Sequence, residues 1–293
     1  MPRSHNAVAE LTAFAANVPG ALRRRAFGKR FVQAHPEFEV GVRAPNVDAI
    51  VSRLKQLAPD VDVARYAADP ARFAHWVERA RYPFWLYPFP SSRNEKYLEH
   101  QISVDLLAPP PGGTLIDVAC GGSYFGVIMQ RQGFRTIDQD LAFPPGLHGE
   151  QLGGDAADMA LPDNSADGMT LHCSFEHFEG DSDSRFVREC ARVLRPGGRT
   201  VIIPLYLSDR HFIVTDPYHY TRESIPFDEG AKPVMLVGYS NRHGRHYDVQ
   251  AFVSRVIQPA CDVGLVPTLT VIENTAAISP FCYVRFALTL QKK

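Results

Sequence analysis

Thr114-Leu-Ile-Asp-Val-Ala-Cys-Gly-Gly-Ser123 is the stretch that decides how this chain folds. Residues 114–119 read as a short apolar strand, and residues 124–132 carry helical spacing. The turn between them holds two glycines, which let backbone approach a ligand closely. A strand that ends in such a turn and opens a helix belongs to an open α/β sheet, where ligands bind beyond the carboxyl ends of the strands. The turn alone is unspecific, although the dinucleotide pattern GxGxxG is absent.

Downstream the same rhythm repeats. Strands are expected at 135–138, 151–155, 168–172 and 200–205, with a helix over 184–194 closed by Arg195-Pro-Gly-Gly198. Alternation of this kind implies a parallel sheet with right-handed crossovers. A helix over 249–263 and two strands, 265–272 and 283–290, follow. The last two are close enough to form a hairpin, which gives the sheet an antiparallel strand at one edge. Residues 208–247 show no regular pattern, and a segment of that length in a compact domain is usually a lid or a binding segment.

Upstream, residues 1–108 read as helical, with pieces at 7–16, 47–57, 70–81 and 93–107, and with Pro19-Gly20 as a breaker. The run Pro109-Pro-Pro-Gly-Gly113 ends the last of them and marks the expected boundary between an N-terminal cap, 1–108, and a catalytic domain, 109–293. The aromatic stretch Tyr82-Pro-Phe-Trp-Leu-Tyr-Pro-Phe-Pro90 suits either an apolar ligand pocket or the packing of the cap.

The composition is that of a globular protein: 293 residues, 45% hydrophobic and 22% charged, with a formal net charge of -1. No global positive field favours nucleic acid. The dense basic run Arg23-Arg24-Arg25, with Lys29 and Arg30, reads as a solvated face or a site for an acidic ligand. Five widely spaced cysteines without a CxxC pair argue for reduced thiols and against a structural metal. No run approaches the roughly 18 apolar residues that a spanning helix needs. A cytoplasmic protein with no membrane partner is the expectation.

Three carboxylates add specificity to the glycine turn. Asp117 lies at its start, Asp140 just beyond the second strand, and Asp155 in Gly154-Asp-Ala156 after the third. A carboxylate at the second strand end suits both hydroxyls of a ribose, and Asp155 could accept from an adenine amino group. Asp138 competes for the ribose but lies within the strand. Asp163, in Pro-Asp-Asn-Ser, reads as a turn residue.

Taken in order, Asp117-Val-Ala-Cys-Gly-Gly122, Asp140-Leu141, Gly154-Asp-Ala156, Leu161-Pro-Asp-Asn-Ser-Ala-Asp167, Glu176-His177 and Arg192-Val-Leu-Arg-Pro-Gly-Gly198 resemble the motif set of the class I S-adenosylmethionine-dependent methyltransferases, in particular the type 11 branch. The resemblance implies a Rossmann-like, mostly parallel seven-stranded sheet. It implies S-adenosyl-L-methionine as cofactor and S-adenosyl-L-homocysteine as product. Asp117 and the backbone at Ala119, Cys120 and Gly121 would then hold the methionine portion, together with the backbone around His172. Asp140 would hold the ribose, and Asp155 with Ala156 the adenine. Ala119 and Ser123 stand where the family most often has glycine.

Methyl transfer from a sulfonium is an in-line displacement, so the protein mainly orients the reactants and keeps the site dry. An alcohol acceptor usually needs a base, and histidine suits that task near neutral pH. His172 and His177 flank the end of the fourth strand, and His219 lies in the irregular segment; these are the catalytic candidates. The polar, aromatic clusters around His219 and at 242–247 suit a sugar- or natural-product-like acceptor. No metal-ligand spacing is present, so no metal is expected. Two other readings stand beside a small-molecule O- or N-methyltransferase: a cofactor-binding pseudoenzyme or partner subunit, and a protein or peptide methyltransferase.

Overall fold

The computed structural model describes residues 7–83, 86–87 and 89–293. Phe84, Trp85 and Pro88 of the aromatic stretch lie outside the described residues. The chain divides into two compact units, one made of 45–210 with 247–293, the other of 1–44 with 211–246.

The larger unit opens with helix α2 (Val47–Leu57), strand β2 (Asp62–Ala67), helix α3 (Pro70–Ala80) and helix α4 (Pro90–Leu107). Their starts are written locally. Asn46 and Asp69 cap α2 and α3 by accepting from backbone N–H groups three residues on, and Pro70 fills a first-turn position where no N–H is needed. After the proline run come β3 (Thr114–Val118), α5 (Phe125–Arg131), β4 (Arg135–His148), β5 (Gln151–Gly153), β6 (Ala166–His172), α6 (Ser182–Val193) and β7 (Leu194–Ile203). Asn164 in the turn before β6 takes a positive φ, and Arg192 holds Asp163 at 2.8 Å, which places that aspartate in a structural turn.

Past the second unit, Asp248 caps α8 (Val249–Phe252), which continues through a π-helical turn (Val253–Ile257) into α9 (Gln258–Asp262). Strands β11 (Leu265–Glu273) and β12 (Phe286–Lys292) pair antiparallel as the hairpin expected there.

These strands form one sheet of eight, in the order β2-β11-β12-β7-β6-β3-β4-β5. Seven of them were legible in the chain. The eighth, β2, lies in the region read as wholly helical and adds itself parallel to β11, so β12, antiparallel to both β7 and β11, stands third from that edge. Chain reversal falls between β6 and β4, on either side of β3, which puts the glycine turn at the topological switch point. Both faces of the sheet are covered: Phe186, Val193, Phe252, Ile257 and Leu54 pack on one, and Leu98, Ile102, Phe125, Ile128 and Trp76 on the other.

Two features depart from the sequence reading here. The compact units are not cut at the proline run, because α2 to α4 and β2 pack with the sheet. Strand β4 does not stop at 138: it passes Asp140, bends through 141–146 and returns along β5, pairing Leu147 with Leu152 and His148 with Gln151. Gly153 permits this fold-back, since a Cβ there would lie 2.0 Å from the Pro144 carbonyl oxygen.

The smaller unit holds α1 (Ala7–Ala34), β1 (Glu39–Val40), β8 (Phe212–Thr215), α7 (Pro217–Tyr220), β9 (Lys232–Met235) and β10 (Gly244–His246). Helix α1 runs through Pro19-Gly20 instead of ending there. Segment 208–247 is likewise more regular than its sequence suggested: it supplies β8, β9 and β10, which with β1 make a four-stranded sheet in the order β1-β9-β8-β10. Buried Arg245 pins it through Asp228, Nε to Oδ2 at 2.7 Å and Nη2 to Oδ1 at 2.9 Å. The chain leaves and re-enters the larger unit at one place, where the Ser208 N–H donates to the Tyr247 carbonyl at 2.7 Å.

Candidate active site

Asp117 lies at the end of the central strand β3, buried to 2% exposure. Its Oδ1 accepts from the Thr170 hydroxyl at 3.2 Å and lies 3.2 Å from His172 Nδ1, both on β6. Its Oδ2 is buried and has no hydrogen-bond partner among the described residues. Burial pushes the carboxyl up to about 7, against the Ser123 and Thr170 hydroxyls and the distant Lys96 charge. A buried carboxylate oxygen left in this way is costly unless a donor arrives.

The turn beyond it is held open by β4. Ala119 N–H donates to Gln139 Oε1 at 3.0 Å, Cys120 N–H to the Gln139 carbonyl at 2.9 Å, and Gly121 N–H to Asp140 Oδ2 at 2.8 Å. Ala119 and Gly121 both sit in the left-handed region, at φ +48° and +52°, where a β-carbon is disfavoured. Among the described residues nothing lies within 4 Å of where a Cβ would stand at Gly121 or Gly122, so that side of the turn is open. The three N–H groups expected to face a ligand are thus already paired within the protein, and the cradle is one of shape.

Asp140 stands across the turn, its second oxygen accepting from Ala142 N–H at 2.9 Å. Asp138 is packed behind helix α5, where a Cβ on Gly126 would lie 2.3 Å from its Oδ1, and this separates it from Asp140. Asp155 accepts from Ala157 N–H at 2.9 Å and pairs with Arg185 at 3.1 Å beside buried Ala156. Gln139, not singled out in the sequence, ties the two sides: its Nε2 donates to the Gly154 carbonyl at 2.7 Å while its Oε1 holds Ala119.

His172 touches Asp117 with one ring nitrogen and Ser103 Oγ with the other, at 2.9 Å. Burial pulls it down to about 3, so the ring is neutral at physiological pH. In this placement it positions the Asp117 carboxyl. His177 lies on a 3-10 turn (Phe175–His177) with Nε2 3.6 Å from Glu176 Oε1. His219 belongs to the smaller unit, where it meets Glu223 at 2.6 Å.

A second buried cluster adjoins His172. Cys173, the next residue, takes a positive φ of 50°. Its thiol donates to Glu99 Oε1 at 3.3 Å and lies 3.5 Å from Tyr283 Oη and 3.8 Å from Tyr206 Oη. Glu99 is fully buried and paired with Lys96 at 2.9 Å. Burial lowers Lys96, but the Glu99 charge outweighs it and raises the ammonium well above its ordinary value, while burial raises Glu99 against the pull of Lys96. Burial and Glu99 together push the Cys173 thiol up, so it stays protonated. On the same helix, Glu95 accepts from Tyr283 and Val284 N–H, both at 2.9 Å, and burial pushes it up to about 7. Charged residues on a helix are ordinarily solvated, yet Glu95 and Glu99 of α4 are buried in the fold.

Strand order, switch point and an acidic residue on the central strand define a class: a Rossmann-like α/β domain with its ligand edge at the glycine turn. Residues 116–202, from β3 into β7, match the family model for the methyltransferase domain, in line with the family that the motifs of this stretch resemble. No curated protein matches the chain.

Solved structures similar to it include an N1-methyltransferase from Burkholderia thailandensis, described with 1,6-didemethyltoxoflavin and S-adenosylhomocysteine bound; it is 16% identical, over 77% of this chain and 91% of that one, with a TM-score of 0.43. An S-adenosylmethionine-dependent methyltransferase from Mesorhizobium loti is 16% identical over 62% and 92%, with a TM-score of 0.42. A provisionally described methyltransferase of an antibiotic biosynthesis pathway in Anabaena variabilis is 24% identical, with a TM-score of 0.31; the chain spans 43% of that protein's length, using 35% of its own. Among the described residues, no helix is long and apolar enough to cross a membrane.

Proposed function

We propose that this chain is an S-adenosyl-L-methionine-dependent methyltransferase acting on a small hydroxyl- or amine-bearing molecule. The observation that carries the reading is the buried Oδ2 of Asp117, without a hydrogen-bond partner among the described residues, beside the open turn at 119–122 with its left-handed Ala119 and Gly121. That pair of features fits an α-ammonium group delivered next to a thin stretch of backbone, which is how the methionine portion of the cofactor would sit. Asp140 is the residue for the ribose hydroxyls, and Asp155 with Ala156 for the adenine; each Asp140 oxygen keeps a lone pair beyond the backbone bond it accepts.

When bound, the cofactor supplies a methyl carbon activated by a sulfonium. The work left to this chain is orientation, exclusion of water and proton handling. His172, Thr170 and Ser103 fix the Asp117 carboxyl. We assign the Lys96–Glu99–Cys173 cluster, with Tyr206 and Tyr283, to the acceptor side: Glu99 is the buried carboxylate there, and Lys96 holds its charge.

Calorimetric titration with S-adenosyl-L-homocysteine tests the reading. Binding to the wild type, weakened about tenfold or more by Asp140→Ala, is expected, since two charge-assisted hydrogen bonds to the ribose are lost. Glu99→Gln should bind as the wild type does. Failure of the wild type to bind either S-adenosyl-L-methionine or its product defeats the proposal.

A further inference from the structure

We propose that the smaller unit carries a separate site for a phosphoryl group, built from the basic run of α1 and from Arg222. Arg23, Arg24 and Arg222 line a cleft of about 490 Å³ together with Gly20, Phe27 and Tyr218. The Arg222 guanidinium lies 4.1 Å from the ring centroid of Tyr218 and 4.7 Å from that of Phe27, and Arg24 lies 5.8 Å from Tyr218. The two rings meet edge to face at 6.3 Å. A guanidinium stacked on two aromatic rings is held in one plane, so little of its freedom is left to lose when an anion binds.

Arg222 spends only Nη1 on the protein, donating to the Thr221 hydroxyl at 2.9 Å and the Tyr218 carbonyl at 3.5 Å. Its Nε and Nη2 are therefore available. Arg23 and Arg24 have no carboxylate partner among the described residues. The nearest acid in sequence, Glu223, is already engaged by His219 at 2.6 Å and Arg242 at 3.5 Å. Three arginines thus line one cleft without a carboxylate partner among the described residues, in a chain whose formal net charge is -1.

The cleft has a built floor. Gly28, one turn along α1 from Arg24, lets the helix seat on Val237 and Pro217: a Cβ there would lie 3.0 Å from Val237 Cγ1 and 3.6 Å from Pro217 Cγ. That seating brings Arg23 and Arg24 over α7 and Arg222. Guanidinium forks match the oxygens of a tetrahedral phosphoryl group in pairs, and three cations suit a dianion better than a singly charged carboxylate. A small phosphorylated molecule, with free phosphate as its simplest form, is the ligand class.

Titration of the full chain with orthophosphate, pyrophosphate and acetate at fixed ionic strength tests this. Pyrophosphate is expected to bind more tightly than orthophosphate, and acetate at least about tenfold more weakly than either, because a monoanion meets fewer forks. Arg23→Ala/Arg24→Ala, which removes two exposed side chains and with them only the 5.8 Å approach of Arg24 to Tyr218, should lose about tenfold in pyrophosphate affinity with a nearly unchanged melting temperature. Arg222→Lys should lose as much while keeping the charge, because lysine has no planar fork. Absence of pyrophosphate binding to the wild type, or affinities in both variants equal to the wild type, overturns the proposal. S-adenosyl-L-homocysteine binding, measured in the same samples, is expected to be unaffected, which keeps this outcome distinct from the fate of the methyltransferase reading.

Discussion

A single carboxyl carries most of the functional account. Asp117 could be found in the sequence as an acid entering a glycine turn, but its environment could not, because Thr170 and His172 lie more than 50 residues away and Ser103 comes from a helix outside the α/β pattern. The same distance explains why His172 read as a base: only the fold shows both of its ring nitrogens facing protein. The Glu99 cluster was hidden for a related reason, since charge on a helix ordinarily marks the solvated side. Burial raises Asp117 to about 7 from an unfolded value near 3.9. With the folded value the higher one, this group's contribution to stability is fully present below about pH 4 and is lost as pH rises through 7. Asp117→Asn removes that liability. Its melting temperature relative to wild type should therefore be higher at pH 8 than at pH 5, as thermal denaturation at the two pH values would show; an equal difference at both would mean that Asp117 does not titrate as a buried acid.

Among elements, those with a strong period and a local stop were legible, and those made by tertiary pairing were not. The strand-turn-helix at 114–131 and the β11–β12 hairpin carry their own signals. Strand β2, exposed along Asp62-Val-Ala-Arg-Tyr-Ala67 except at half-buried Val63 and Tyr66, gains its place only by pairing with β11, some two hundred residues on. The fold-back of 141–148 over β5 is another such case, because its enabling residue, Gly153, looks like any other glycine until Pro144 is placed against it. Gly153→Ala should destabilise the protein by about 2 kcal/mol, the usual penalty of overpacking against backbone that cannot yield, and denaturant titration would measure it. A neutral substitution would mean that segment 141–148 is not seated on β5.

At the scale of the molecule, the units follow contact and not chain order. The sequence placed a boundary at the proline run and an irregular insertion at 208–247; in the fold 211–246 share a unit with 1–44, and the run joins α4 to the sheet it covers. Because Ser208 and Tyr247 are hydrogen bonded, removal of the smaller unit leaves ends already adjacent. A chain of 45–210 joined by a short Gly/Ser linker to 247–293 is expected to unfold cooperatively, as followed by circular dichroism against denaturant. A gradual, uncooperative loss of signal would mean that the larger unit is not an independent fold.

Calorimetry with S-adenosyl-L-homocysteine from pH 6 to pH 8, in buffers of different ionisation enthalpy, tests the central claim most directly. An ammonium group arriving at Asp117 favours its ionised form, so affinity should rise across this range with release of up to about one proton, and Asp117→Asn should bind weakly without that slope. No binding to the wild type, or an Asp117→Asn variant that binds as tightly with the same pH dependence, would contradict the account.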